Sequence, residues 1–225
     1  MAMAIVQSGE AVTLLGGGAL GADDLALALA RAPRLVAADG GARHAAAAGQ
    51  APMAVIGDMD SLGDAAARFA DRLHEIAEQD STDFDKALRN IDAPLVLAVG
   101  FTGGRLDHEL AVFHGLVARP ERRCLLIGAE SLVFLCPPRI GLDLAPGTPF
   151  SLFPMGEVGC VSQGLRWPTA GIDFAPARRV GTSNEVTGPV TLRCDAPLML
   201  GLAPRAALDA VIAALLAAPR GWPAR

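Results

Sequence analysis

The chain has almost no lysine. Of its 19 basic residues 18 are arginine, and the single lysine is Lys86. Long apolar runs are missing too: none reaches the ~20 residues a helix needs to cross a bilayer, so no membrane partner is expected. The opening MAMAIVQSGE has no basic stretch ahead of an apolar core, so a secretory signal is not expected. Cys124, Cys136, Cys160 and Cys194 form no CxxC pair. They read as free thiols in a reducing, cytoplasmic setting rather than as a zinc site or disulfides. His44, His74, His108 and His114 are scattered, which leaves a zinc hydrolase without its ligands. The glycines at 16–18 are followed by Ala and Leu, not by GK[ST], so there is no Walker A loop. A net charge of -5 excludes a broad nucleic-acid surface but leaves local nucleotide binding open.

The sequence does hold ample apolar material, 52% of 225 residues. In the first half it alternates in type. AVTLLGGG, RLVAADGG, PMAVIGDMDS, PLVLAVGFTGG and RCLLIGAE read as strands that end on glycine or aspartate. Between them DDLALALARA, ARHAAAAGQ, AAARFADRLHEIAEQ, DFDKALRNI and LDHELAVFHGLVAR read as helices. Continuous apolar strands alternating with helices predict an α/β domain, a three-layer parallel sheet covered on both faces, whose ligands gather beyond the strands' carboxyl ends. After about residue 135 prolines and glycines punctuate short pieces such as PFSLFPMG, VGCVSQGLRW and GTSNEVTGPVTLRC, the pattern of an all-β sandwich or barrel. The expected domains are therefore 1–135, α/β, and 136–225, β-sandwich with a C-terminal helix. In that helix Leu208, Val211, Ile212, Leu215 and Leu216 form one apolar stripe, to be covered by the body or by a second subunit.

Two short runs concentrate acid: GDMDSLGD (57–64) and DSTDFDKAL (80–88). Asp58 and Asp60 are one residue apart, so in an extended segment they share a side. They could hold a hard divalent cation that leaves positions open for phosphate oxygens, with Asp80 and Asp83 completing its surroundings. The plainer alternative is a pair of wet turns with a helix cap at Ser81 or Thr82. Lys86, three residues after Asp83, shares its face and could reach a phosphate, or could be an ordinary surface lysine. In TGGRLDH (102–108) Gly103 and Gly104 would let backbone N–H groups approach an anion. Arg105 offers a fork for phosphate, and Asp107 a further ligand or an acceptor for a hydroxyl. His108 caps or packs. Farther on, Trp167 in GLRWP is core or a stacking wall, and Ser183 and Asn184 in GTSNE are a turn or polar contacts for a neutral heterocycle.

Taken in order, DGGA (39–42), GDMDS (57–61), DSTDFDKAL (80–88), GGRLDH (103–108), GLRWP (164–168) and GTSNE (181–185) resemble the motifs of the thiamine pyrophosphokinase family. The resemblance covers roughly residues 11–202. It implies a nucleotide domain joined to a β-sandwich, a homodimer, and transfer of pyrophosphate from ATP to the hydroxyl of thiamine with Mg²⁺. By that resemblance Asp39, Asp58, Asp60, Asp83, Lys86, Arg105 and Asp107 form the catalytic set, with Asp58, Asp60, Asp83 and Asp107 holding metal. Gly40, Gly41, Ser61, Asp80, Thr82, Gly103, Gly104 and His108 are placed at the nucleotide, and Trp167, Ser183 and Asn184 at thiamine. The sequence departs from the family at Arg43 and Val112, where asparagine is usual. Rival readings are a pyrophosphokinase for another heterocyclic alcohol, such as a pterin, and a nucleotide sensor without turnover.

Overall fold

The computed structural model describes residues 3–219 and 221–223. Two compact units divide the chain, Met1–Gly115 with Leu126–Ala129 and Leu116–Leu125 with Glu130–Arg225.

In the first unit the elements follow as β1 (Val6–Gln7), β2 (Val12–Leu15), α1 (Asp24–Leu29), β3 (Arg34–Ala38), α2 (Gly41–Ala47) and β4 (Ala54–Gly57). Then come α3 (Ala65–Arg68), β5 (Leu73–Glu75), α4 (Asp83–Arg89), β6 (Ile91–Asp92) and β7 (Val96–Val99). α5 (Leu106–Ala118) and β8 (Cys124–Ile127) have residues in both units. Strands β7-β2-β3-β4-β5 lie side by side in that order, all parallel. Every residue of β2, β4 and β7 is buried, as a sheet covered on both faces requires. The chain steps outward from β2 to β5, then returns to place β7 on the other side of β2. That reversal opens a crevice beyond the carboxyl ends of β2 and β7.

One element differs from expectation. The segment 65–79 has helical composition, but α3 stops after a single turn and a 3₁₀ turn leads into β5. There Leu73 pairs with Val55 and Glu75 with Gly57. Backbone pairing to an open sheet edge outweighs local helix propensity here, even though the alanines of this segment are strong helix formers.

The second unit contains β9 (Ser131–Leu135), β10 (Arg139–Leu142), β11 (Pro149–Pro154), β12 (Val158–Leu165), β13 (Asp173–Phe174), β14 (Thr182–Cys194) and β15 (Met199–Pro204), followed by α6 (Leu208–Ala217). All ladders among these strands are antiparallel. Residues 182–185 of β14 run beside β11, whereas residues 190–193 run between β10 and β12. One strand thus joins both layers of a β-sandwich, and buried residues alternate with exposed ones along β11 and β12. Leu208, Val211 and Leu215 of α6 are buried, and the helix packs on β10, so this unit itself covers most of the predicted stripe. Cys160 and Cys194 stand opposite one another in the β12–β14 register and are joined as a disulfide. The expectation of four free thiols is corrected for this pair, which is brought together by strands 34 residues apart in sequence; Cys124 and Cys136 are free and buried. No helix among the described residues is long and apolar enough to cross a membrane.

Candidate active site

The acids converge because two neighbouring parallel strands deliver them to one level. Asp39 follows β3 and Asp58 follows β4, which are hydrogen-bonded neighbours. Asp39 is held by its own N–H, which donates to the Ile56 carbonyl at 3.0 Å. Its φ is +34°, a left-handed conformation uncommon outside glycine, so the chain turns sharply at the site. Met59 also has a positive φ, +68°. Asp58 and Asp60 are therefore disposed around a tight turn, not along the extended segment their spacing suggests. Gly57 is needed here, since a Cβ on it would lie 2.7 Å from the Asp39 Cβ. Gly41 is needed to seat α2, since a Cβ there would come within 2.0 Å of the Leu15 carbonyl oxygen.

Carboxylate oxygens of Asp39, Asp58 and Asp60 all lie within 4.8 Å of one another. Asp39 is only 2% exposed, and its Oδ1 is buried without a hydrogen-bond partner. An orphaned carboxylate oxygen facing two further carboxylates is a costly arrangement for the protein alone. It fits a hard divalent cation, whose ligands are oxygens. Burial raises the Asp39 pKa above its ordinary value, and the charges of Asp58 and Asp60 push the same way, against hydrogen bonds from Ser61 and Gly40.

α4 supplies the counter-charge. Thr82 caps it, its hydroxyl accepting from the Asp85 N–H at 3.3 Å. Glu78 clasps the same turn: it accepts from the Ser81 hydroxyl and N–H and from Arg89, whose Nη2 is 2.8 Å away. Those hydrogen bonds, Ser81 first and then Arg89, hold its pKa down to about 2. Lys86, 1% exposed, projects from α4 to Asp58 Oδ2 at 3.2 Å and Asp83 Oδ1 at 3.5 Å. Burial works against its charge, but the two carboxylates win and raise its pKa. Asp83 is raised by burial and by the charges of Asp58 and Asp39. Asp58 moves down: burial opposes this, but hydrogen bonds from Gln79, at 3.2 Å, and Lys86 prevail.

These groups border a cavity of ≈ 530 Å³. Its wall includes Asp39, Gly40, Asp58, Asp60, Ser61, Thr82, Asp83, Lys86, Gly104, Arg105 and His108 from the predicted set. Gly17 and Gly18 beyond β2, and Gly100 and Phe101 beyond β7, form the side at the strand-order reversal. Gly41, Asp80, Gly103 and Asp107 are not on the wall. Asp80 donates its N–H to Glu78, and Asp107 is exposed and ion-paired with Arg105 at 2.6 Å. That pairing holds the Asp107 pKa at about 2. The structure thus groups Asp39 with Asp58 and Asp60 and leaves Asp107 apart from them. Residues of the wall outside the predicted site set include Gln79, Phe84 and Phe101, together with Ser81, which the sequence offered only as a helix cap. Gln79 directly precedes the DSTD run, which was the available signal. The rings of Phe84 and Phe101 meet edge to face, 4.9 Å between centroids.

The remaining predicted residues lie in the second unit. Asn184 is buried and its amide is committed to the chain. Oδ1 accepts from the N–H of Trp167 at 3.0 Å and of Glu185 at 2.9 Å, and Nδ2 donates to the Trp167 carbonyl at 2.7 Å. GLRWP and GTSNE are therefore one device, an amide clasp that presents the Trp167 ring 54% exposed, with the Arg166 guanidinium 5.6 Å from its centroid. Ser183, the preceding residue of β14, is exposed.

Comparison with known proteins follows this division. Residues 25–126 match the model described as "Thiamin pyrophosphokinase, catalytic domain", and residues 139–199 match "Thiamin pyrophosphokinase, vitamin B1 binding domain". Together they cover well over half of the chain. Thiamine pyrophosphokinase 2 of Arabidopsis thaliana is 26% identical over 170 residues, 66% of this chain and 64% of that protein. The matched part thus spans just under two thirds of the length of this curated relative. Among solved structures, thiamin pyrophosphokinase from Geobacillus thermodenitrificans has a TM-score of 0.71 at 22% identity, covering 86% of this chain and 97% of its own. The Candida albicans enzyme has 0.72 at 14%, covering 88% and 93%. At these identities the likeness is one of fold.

Proposed function

The chain belongs to the thiamin pyrophosphokinase family, and on that premise we propose that it transfers the β,γ-pyrophosphoryl group of ATP to the hydroxyl of thiamine, yielding thiamine diphosphate and AMP. The observation that carries this reading is the convergence of Asp39, Asp58 and Asp60, with Lys86 and Asp83 beside them, on a cavity at the strand-order reversal. A site for a neutral ligand has no use for four carboxylates and a buried lysine.

In the reaction the hydroxyl oxygen bonds to the β-phosphorus, the bond from that phosphorus to the α–β bridging oxygen breaks, and AMP leaves as the hydroxyl proton is lost. Asp39, Asp58 and Asp60 would hold Mg²⁺, with Asp83 close by. When bound, Mg²⁺ supplies charge neutralisation on the phosphate oxygens. Lys86 cannot swing freely, since Asp58 and Asp83 both hold its ammonium, so it acts as a positioned point charge. Arg105 offers a second cation at the cavity's other side, oriented by Asp107. Gly17, Gly18 and Gly104 leave room for phosphate oxygens to approach backbone. Trp167 is the wall for the thiamine ring, Ser183 offers an exposed hydroxyl, and Asn184 serves by fixing the tryptophan.

The proposal extends to a nucleotide half, 1–135, a thiamine-binding half, 136–225, a homodimer and a cytoplasmic setting. Incubation of the purified protein with ATP, Mg²⁺ and thiamine tests the central claim. AMP and thiamine diphosphate in equal amounts are expected. ADP with thiamine monophosphate, or nucleotide binding without turnover, would refute it.

A further inference from the structure

Besides Lys86 and Arg105, the cavity wall carries a third cation, Arg43. It lies on α2, two residues beyond Gly41, and its side chain is exposed on the wall. Its Nη2 comes within 3.6 Å of the point a Cβ would occupy on Gly40, a position that also faces the Ser61 Cβ at 3.5 Å. The guanidinium therefore sits over the glycine turn that follows Asp39, next to the loop bearing Asp58 and Asp60.

The other two cations of the wall are already committed. Lys86 is shared between Asp58 and Asp83, and both carboxylate oxygens of Asp107 grip Arg105. The backbone N–H of Arg43 donates to the Gly40 carbonyl, but its guanidinium makes no hydrogen bond or ion pair with the described residues. A polyphosphate entering a cavity lined by Asp39, Asp58, Asp60 and Asp83 meets repulsion that already-paired cations relieve only in part. An unpaired guanidinium can give its charge and its planar pair of N–H donors to phosphate without breaking another bond.

We propose that Arg43 is a polyphosphate-binding residue of this chain, contacting the nucleotide's phosphates with its unpaired guanidinium. It rests on the reading that the cavity takes a nucleoside triphosphate. What it adds is the source of part of that affinity: binding at this site is more strongly charge-driven, and more salt-sensitive, than an asparagine at position 43 would make it.

Direct binding tests it, without need of turnover. Mg²⁺–ATP and inorganic tripolyphosphate are titrated by calorimetry into wild type, R43K, R43N and R43E. Affinity for both should fall in that order, with R43N ten- to hundredfold weaker than wild type, the range of one charge-assisted contact pair. The salt dependence of R43N should be shallower, and its KM for thiamine and melting temperature unchanged. If R43N and R43E bind ATP within twofold of a wild type that itself binds and turns over, Arg43 has no such role while the catalytic reading stands. Equal losses for ATP and thiamine, with a lowered melting temperature, would also overturn it, since that is the mark of a structural residue. A wild type that binds no ATP would remove the underlying reading and this one together.

Discussion

Asn184→Ala is a sharp perturbation of the second unit, because the structure assigns every bond it would break. Three hydrogen bonds vanish: two accepted by Oδ1 and one donated by Nδ2. At about 1 kcal/mol net each the loss would approach 3 kcal/mol. Trp167 itself is 54% exposed, so water can re-satisfy its backbone groups, and about 2 kcal/mol is the better expectation. For a chain of this size that is a fall of roughly 4–8 °C in melting temperature. The functional effect should be more selective than the thermal one. With the clasp gone the Trp167 ring is no longer held, so KM for thiamine should rise several-fold while Kd for ATP stays put. Trp222 donates its indole N–H to the Cys136 carbonyl at 2.9 Å and is a second emitter, so a Trp222→Phe background isolates the Trp167 signal. In that background Asn184→Ala should red-shift the emission and raise its accessibility to acrylamide. An unchanged melting temperature and emission spectrum would refute the clasp. A changed spectrum with unaltered thiamine kinetics would leave the clasp intact and sever it from the substrate.

Asp58→Asn and Asp60→Asn should each cut turnover by about 3 kcal/mol of transition-state stabilisation with the fold intact, measured as kcat/KM beside a circular-dichroism melt; near-normal turnover in both would overturn their assignment. Asp39→Asn should abolish activity yet raise the metal-free melting temperature at neutral pH. The reason is that a carboxyl whose pKa is raised above 3.8 stabilises the fold below that value and loses that contribution as pH rises through its folded pKa. Asparagine also accepts the positive φ at this position, and Mg²⁺ should stabilise the wild type in the same melt but not the variant. Glu78→Gln should destabilise the protein at neutral pH, and its deficit against wild type should close as pH falls from about 4.5 to about 2, since a depressed carboxyl contributes only while ionised; acid-titration melts of both proteins check this.

The strands of the first unit and the acids at their ends were legible because one physical requirement, burial on both faces, writes continuous apolar runs that stop where the backbone must meet solvent or ligand. Lys86 was legible through composition, since the single lysine of an arginine-rich chain falls inside an acidic run. The cap at Thr82 followed from its chemistry. What stayed hidden was set by pairing across distance. Nothing local in Leu73–Glu75 announces a strand, and nothing at Cys160 points to Cys194. Asn184 was read as a polar contact for substrate, and the backbone it grips lies 17 residues earlier. Asp39 entered the catalytic set through the resemblance alone, and its place beside Asp58 and Asp60 shows only once β3 and β4 are aligned.

A chain with a single lysine has one side-chain amine, and here that amine lies on the wall of the cavity, 1% exposed and held between two carboxylates. Its charged form is favoured, so it is a poor nucleophile at rest. For chemical labelling this means that lysine-directed acylation or reductive alkylation has no surface side chain to consume it. Apart from the α-amino group, any amine adduct on this protein reports directly on whether the Asp58–Lys86–Asp83 bridge has opened, and a nucleotide that protects against it can be measured by intact mass alone.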